Sequence, residues 1–444
     1  MPHFVINQIG PIDHVEFTLS KLNVIIGPQS SGKSTIAKII SFCLWLEKEL
    51  LMHRDVKLVD RAFIEKELLG FHKLRNYLNE GYTIHFDGEV VIFHFDEVEC
   101  NVLLKDEIGK CKVGKVAYIP AERIAVTLPN IVSLKMPEIN TRSFLFDWLE
   151  IHQKFQKKNA VDLLKLKMKY YYDEFSQKDM IVLENGKEIM LEEASSGLQS
   201  VVPLYVYMYY LTHWVYDHQE DISFEKKKQL EEILVQEYAK KLIEKNTDLS
   251  KDKLEKYANN LQVHARVKRL FNAFKQLEKD EIINSENRDT FGIEEDILKL
   301  EDNISHPHYS NIILEEPELN LFPETQKELM YDVLEMINNE RDHLVITTHS
   351  PYLLYALNNC MLGYLVKDKI PAEDEELQTM EASFINPDSV SVWEIKDGRF
   401  AAYKDNPNNT IQDERGLIRA NYFDRIMKNI MVDFSSLMDY YDED

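Results

Sequence analysis

Nine consecutive residues, Gly27-Pro28-Gln29-Ser30-Ser31-Gly32-Lys33-Ser34-Thr35, constrain the fold of this chain more than any other stretch. They fit the spacing G-x-x-x-x-G-K-[ST], in which glycines let the backbone curl until successive N–H groups point at one anion. Such a loop works between a strand and a helix, because the helix adds its positive N-terminal end. The flanks comply. Leu22 to Ile26 is a short apolar run, and Ile36, Ile39, Ile40, Cys43, Leu44 and Leu46 recur at helical spacing. The expected fold class is therefore α/β with a phosphate-cradling turn, where Lys33 reaches the outer phosphates of a nucleotide and the Ser34 hydroxyl binds magnesium.

A chain of 444 residues suits one large α/β unit carrying insertions. Its 44% hydrophobic and 29% charged residues are enough to bury a sizeable core. The formal net charge of −24 argues against a surface that binds nucleic acid throughout, and leaves open a local basic groove or a basic partner. Cys43, Cys100, Cys111 and Cys360 form no CxxC pair, so neither a zinc site nor a disulfide framework is expected. The first residues, MPHFVINQIGPIDHVEF, lack a basic region followed by an apolar stretch, and the expected compartment is the cytoplasm. Val201 to Val215 is the most apolar run, yet it falls short of the roughly 20 residues a membrane helix needs. It reads as a buried helix, with no membrane partner.

Alternating strands are expected around the Gly10-Pro11 turn, from Tyr82 to Phe95 about an Asp87-Gly88 hairpin, from Lys115 to Ile119, and on both sides of Asn185-Gly186. All of these read as parts of the core. Two charged stretches, Thr141 to Ser176 and Phe224 to Leu300, read as helical insertions; in the longer one Leu230, Ile233, Leu234, Tyr238 and Leu242 draw one apolar stripe. The organisation that follows is a core part with the glycine-rich loop over 1–140, a helical insertion over 141–179, a serine-glycine segment over 180–215, a charged helical insertion over 216–304 and a second core part over 305–444.

Three further segments carry chemistry. Asn311 to Glu318 (NIILEEPE) is an apolar strand ending in acid, where Glu315 would assist magnesium and Glu316 would orient or activate water. His343 to Ser350 (HLVITTHS) is a second such strand, and His349 at its exit could donate a hydrogen bond to a γ-phosphate or to the attacking water. Ala194 to Ser200 (ASSGLQS) places Ser and Gly at a helix start, another anion site. Taken singly, each has a plainer reading: a strand reaching the surface, a satisfied histidine, a helix cap.

Together, and in the chain order loop, serine-glycine segment, acid-tipped strand and histidine strand, the four motifs resemble the ABC ATPases, in particular the RecF/SMC-like branch and the OLD-type ATPases. In that resemblance GPQSSGKST is the Walker A loop, IILEEPELNLFPETQ the Walker B strand and D-loop, ITTHSPYLL the switch-histidine segment and SSGLQS the signature motif. It implies an ABC-ATPase head with a mixed sheet flanked by helices and with inserted helical subdomains. It also implies a homodimer or higher even oligomer in which Lys33 of one copy and Ser195, Ser196, Gly197 and Gln199 of the other clamp one ATP with Mg2+. Glu316 would then be the catalytic glutamate and His349 the switch histidine. Glu315 stands where most such proteins carry aspartate, and Tyr118 to Arg123 (YIPAER) occupies the place of the Q-loop, which suggests a nucleotide-sensing role for Glu122 or Arg123.

No acidic clusters of a Toprim nuclease follow: Glu373 to Glu376 lie in a Pro-bounded loop and Asp439 to Asp444 read as a solvated tail. That arrangement resembles the stand-alone ATPases of the anti-phage systems Septu and PARIS, which act with a separate effector such as a nuclease. The alternative is a chromosome-associated or DNA-repair ATPase, for which Lys154, Lys157, Lys158, Lys165, Lys167 and Lys169 would supply the basic groove.

Overall fold

The computed structural model describes residues 1–53, 56–105, 111–128, 131, 138–218, 228, 230–234, 237, 288–404, 406 and 408–441. Most of the charged stretch expected as an insertion over 216–304, Tyr238 and Leu242 of its stripe included, lies outside the described residues. Leu230, Ile233 and Leu234 are described, and all three are buried.

A hairpin opens the fold, β1 (His3–Ile9) with β2 (Ile12–Thr18), and leads into β3 (Leu22–Ile26) and the long helix α1 (Lys33–His53). Strands β4 (Leu78–Asp87), β5 (Val91–Asp96) and β6 (Cys100–Leu104) extend the hairpin antiparallel, and β7 (Gly114–Ile119) follows. Next come α2 (Asn140–Ile151), the strands β8 (Val161–Leu163), β9 (Met168–Asp173), β10 (Lys178–Val182) and β11 (Glu188–Met190), and α3 (Ser196–Tyr209). The chain then runs through α4 (Arg288–Ser305), β12 (Tyr309–Glu315), α5 (Pro323–Ile337), β13 (His343–Thr347), α6 (Pro351–Val366), β14 (Val390–Lys396), β15 (Arg399–Ala401) and α7 (Tyr422–Tyr441).

Among the described residues eleven strands form one sheet in the order β6-β5-β4-β1-β2-β15-β14-β3-β13-β12-β7. Its β14-β3-β13-β12-β7 half is parallel, and both faces of that half are covered. The period of two shows it directly. Leu22, Val24, Ile312, Leu314, Leu344 and Ile346 enter one apolar cluster with α2, α3, α5 and α6. Ile25, Ile313, Val345 and Tyr118 point the other way, into a second cluster built around α1. Helix α3 is buried over Ser200 to Met208, as the apolar run led us to expect. Among the described residues no helix is long and apolar enough to cross a membrane.

Two expectations are corrected here. The stretch 141–179 is helical only as far as Ile151; beyond two short turns it becomes β8 and β9, whose Tyr170 and Tyr171 are buried. The Asn185-Gly186 hairpin, β10 with β11, does not join the main sheet but completes a separate antiparallel sheet, β11-β10-β9-β8. The reason lies in packing: Tyr170, Ile181, Val161 and Leu163 seal the outer side of α2 and α3, with Trp148 and Tyr170 rings 5.8 Å apart.

Candidate functional site at the strand ends

Parallel register brings three segments of the sequence to one edge. Glu315 pairs with Thr347, and Thr347 with Ile25, so β12, β13 and β3 end side by side. Ligands in open α/β sheets gather at such carboxyl ends. From β3 the chain enters the glycine-rich loop with Gly27 at φ 151°, Ser30 at φ 59° and Gly32 at φ 105°. Only glycine fits at 27, where a Cβ would stand 2.9 Å from the Ile395 carbonyl oxygen. Pro28, Gln29 and Ser30 are exposed, whereas Lys33 and Thr35 are buried. The first turn of α1 holds no acidic residue, which leaves its positive end free for an anion.

Lys33 bends back across the loop and donates to the carbonyls of Gly27 at 3.0 Å and Pro28 at 2.7 Å. Burial lowers its pKa to about 8, against the opposing pull of Glu316 and Glu318. Glu315, at the end of β12, is buried too; burial raises its pKa, and the nearby Ser34 hydroxyl pulls it back down. Its Oε1 has no hydrogen-bond partner, nor have the buried Ser31 Oγ, Tyr118 hydroxyl, Glu318 Oε2 and Thr347 Oγ1. Buried polar atoms are normally satisfied. These five stand open around one strand edge, with the Tyr118 hydroxyl close to the Glu315 carboxylate.

Glu316 turns the chain out of β12 with φ 42°, a left-handed conformation held by its N–H bond to the Thr347 carbonyl at 2.8 Å. Its carboxylate lies 3.5 Å from His349 Nε2, and that contact first, then the charges of Lys33 and Arg123, lowers its pKa. The His349 backbone N–H donates to Glu318 Oε1 at 2.6 Å, which locks the two strand exits together. Ser350 caps α6 by accepting from Tyr352 and Leu353, and donates to Gln326. The structure thus brings Lys33, Ser34, Glu315, Glu316 and His349 into one cluster.

The serine-glycine segment stands on another element. Ser195 caps α3 through Leu198 N–H at 3.4 Å, and Ser195 and Ser196 are exposed. Gly197 abuts the Asn320 carbonyl, where a Cβ would stand at 3.1 Å. Gln199 departs from the expectation that it faces a nucleotide. Its amide donates to the carbonyls of Leu191 at 3.2 Å and Glu192 at 2.8 Å, tying α3 to the turn after β11.

Arg123 is corrected as well. Rather than facing a ligand it is fully buried and bonded to main-chain carbonyls, while Glu122 is exposed. Sequence reasoning missed Glu318, Tyr118 and Thr347. The signal for Glu318 was present in Glu315-Glu316-Pro317-Glu318, where a third acid follows the two already chosen; nothing local marked Tyr118 or Thr347.

A strand, a G-x-x-x-x-G-K-[ST] loop and a helix, set beside an acid-tipped parallel strand in a large mixed sheet, give this chain a mixed α/β fold built around the strand–loop–helix unit of phosphate-binding proteins. No family model matches the chain. One curated relative, a cytidylate kinase of Sulfurisphaera tokodaii, is 33% identical over 96 residues, which is 22% of this chain. The match spans about half, 51%, of that kinase. Solved structures with a similar course include an SMC head bound to the C-winged helix domain of ScpA, at TM-score 0.33 and 9% identity over 80% of this chain and 90% of that one. The SMC head of Thermotoga maritima gives TM-score 0.34 and 11% identity over the same shares. The recombination mediator RecF gives 0.26 and 12% over 90% and 96%. The fold class rests on the strand order and the loop, and these scores add nothing to it.

Proposed function

We propose that the chain binds ATP with Mg2+ and hydrolyses it, in a site completed by the serine-glycine turn of a second copy. The observation that carries this reading is the convergence of Lys33, Ser34, Glu315, Glu316 and His349 at the ends of β3, β12 and β13. Lys33 and the loop N–H groups would hold the phosphates. Ser34 and Glu315 would hold the cation, a donor set of hard oxygens in which Oε1 is unpartnered. Among the described residues no three His, Cys, Asp or Glu side chains form a metal site of their own, and magnesium commonly takes only one or two carboxylates, with phosphate and water supplying the rest. Glu316 would orient the attacking water and His349 would report on the γ-phosphate. The exposed Ser195 and Ser196 at the start of α3 are the groups offered to the second copy.

The wider role we propose is an ATP-driven switch that controls a separate effector such as a nuclease, as in anti-phage defence; its support is the motif resemblance to stand-alone ATPases of that kind. A chromosome-associated or DNA-repair role that binds DNA is an equally compatible reading. Lys157, Lys165, Lys167 and Lys169, four of the lysines that would form the groove, pair with Glu188, Glu328, Glu184 and Asp162 at 2.7, 3.5, 2.8 and 2.8 Å. The test is direct. Lys33→Ala should abolish binding of a fluorescent ATP analogue, and Glu316→Gln should keep that binding while hydrolysis falls about 10²–10⁴-fold, the range for losing a general base. Unchanged hydrolysis in Glu316→Gln would overturn the assignment.

A further inference from the structure

Arg123 follows β7 and is fully buried, far from the solvent an arginine ordinarily seeks. Its planar fork has five N–H donors and every one finds a main-chain carbonyl. Nε donates to Ser200 at 3.1 Å, Nη1 to Pro120 at 3.3 Å and Glu315 at 2.9 Å, and Nη2 to Glu316 at 2.9 Å and Pro317 at 3.2 Å. Those carbonyls belong to three segments: the exit of β7, the first half of α3 and the acid turn after β12. The last of these contains Glu316 in its left-handed conformation, and three of the five bonds grip consecutive peptides there. A strained residue persists only where its surroundings over-determine it, and Arg123 supplies that restraint. The same guanidinium ties the turn to α3, whose N-terminus carries Ser195 and Ser196.

We propose that Arg123 is a positioning residue for hydrolysis, fixing the Glu316 carboxylate to the helix whose serine-glycine end meets the nucleotide of the second copy. The inference rests on the ATPase reading above. It makes the water-orienting group of one site move as a body with the clamp of the other, without Arg123 touching nucleotide. Lysine cannot replace it, since an ammonium is a point charge with no planar fork to span three segments.

The test uses the full chain with ATP and Mg2+, comparing Arg123→Lys and Arg123→Met with the unmodified protein and with Lys33→Ala. We expect both Arg123 variants to bind a fluorescent ATP analogue within about twofold of normal, while kcat falls about 10²-fold, the loss that a misplacement of about 1 Å brings. The split between kcat and affinity separates positioning from packing, since a merely packed residue would lower folded fraction and binding together. The Glu316 carboxylate faces His349, Lys33 and Arg123 as positive groups and Glu318 as a negative one. Arg123→Lys keeps the charge and loses the fork, so a rate loss as large in Arg123→Lys as in Arg123→Met, at unchanged affinity, marks the five hydrogen bonds as the cause. If Arg123→Met does not fold, the rate and affinity of Arg123→Lys decide. A kcat within twofold of normal in Arg123→Lys would overturn the proposal, as would a loss of affinity parallel to the loss of rate. An unmodified protein that binds but never hydrolyses ATP would instead overturn the site reading on which it stands.

Discussion

The sequence marks Lys33 as the proposed phosphate ligand, but its protonation is decided by the fold. Buried against the Gly27 and Pro28 carbonyls, it titrates at about 8 instead of its ordinary 10.5. A bound triphosphate would favour the charged form, so binding above that pH must take up a proton. Nucleotide affinity is then expected to be flat below about pH 7.5 and to weaken up to about tenfold per pH unit above about 8, measured by titration calorimetry or fluorescence. The sign for folding is the opposite. Between about 8 and 10.5 the unfolded chain holds the proton that the folded chain has lost, so this residue makes the free protein more stable as pH rises through that window. Gly32 gives a second test at this scale. With φ at 105° and a Cβ position 2.8 Å from Ile12, Gly32→Ala should lower stability by about 1–3 kcal/mol in denaturant unfolding.

At the scale of elements, hydrophobic periodicity disclosed α1 and the β4–β5 hairpin, whose apolar spacing can be counted, and unbroken apolar runs disclosed β3 and α3, which are buried on all sides. It failed over 161–173, where lysines and acids among the apolar residues imitate a charged helix. There Tyr170, Tyr171 and Tyr172 form a strand because Trp148 and α3 offer a flat apolar surface, a contact no local pattern contains. Helix α7 is the converse case. Beyond Arg425 it is exposed along its length, Ile430, Phe434 and Leu437 included, and it is tied to the head by Phe423, by Asp424 to Tyr355 and by Arg425 to the buried Glu394. Ending the chain after Arg425 should therefore shift the thermal midpoint of the head by no more than about 2–4 °C. Ending it one residue earlier, which strips the half-exposed Arg425 from the buried Glu394, should destabilise the head by about 1–3 kcal/mol.

For the whole molecule, the proposed function has each site shared between two copies, the glycine-rich loop of one facing the serine-glycine turn of the other. Two inactive variants then ought to rescue each other. In an isologous pair, mixing Lys33→Ala with Ser196→Arg leaves each mixed dimer one site with both defects and one with none, so about a quarter of normal hydrolysis should return. No return on mixing would show that each copy works alone. The sequence by itself determined the α/β class and the G-x-x-x-x-G-K-[ST] loop with Lys33 and Ser34 in it, because these follow from spacing within a few residues; it offered Glu315, Glu316 and His349 as candidates through the motif resemblance. Only the tertiary structure decided that Arg123 binds carbonyls instead of ligand, that Gln199 turns inward and that 161–190 is a sheet. Those outcomes depend on which donors and faces meet across residues distant in the chain, and no local rule encodes such meetings.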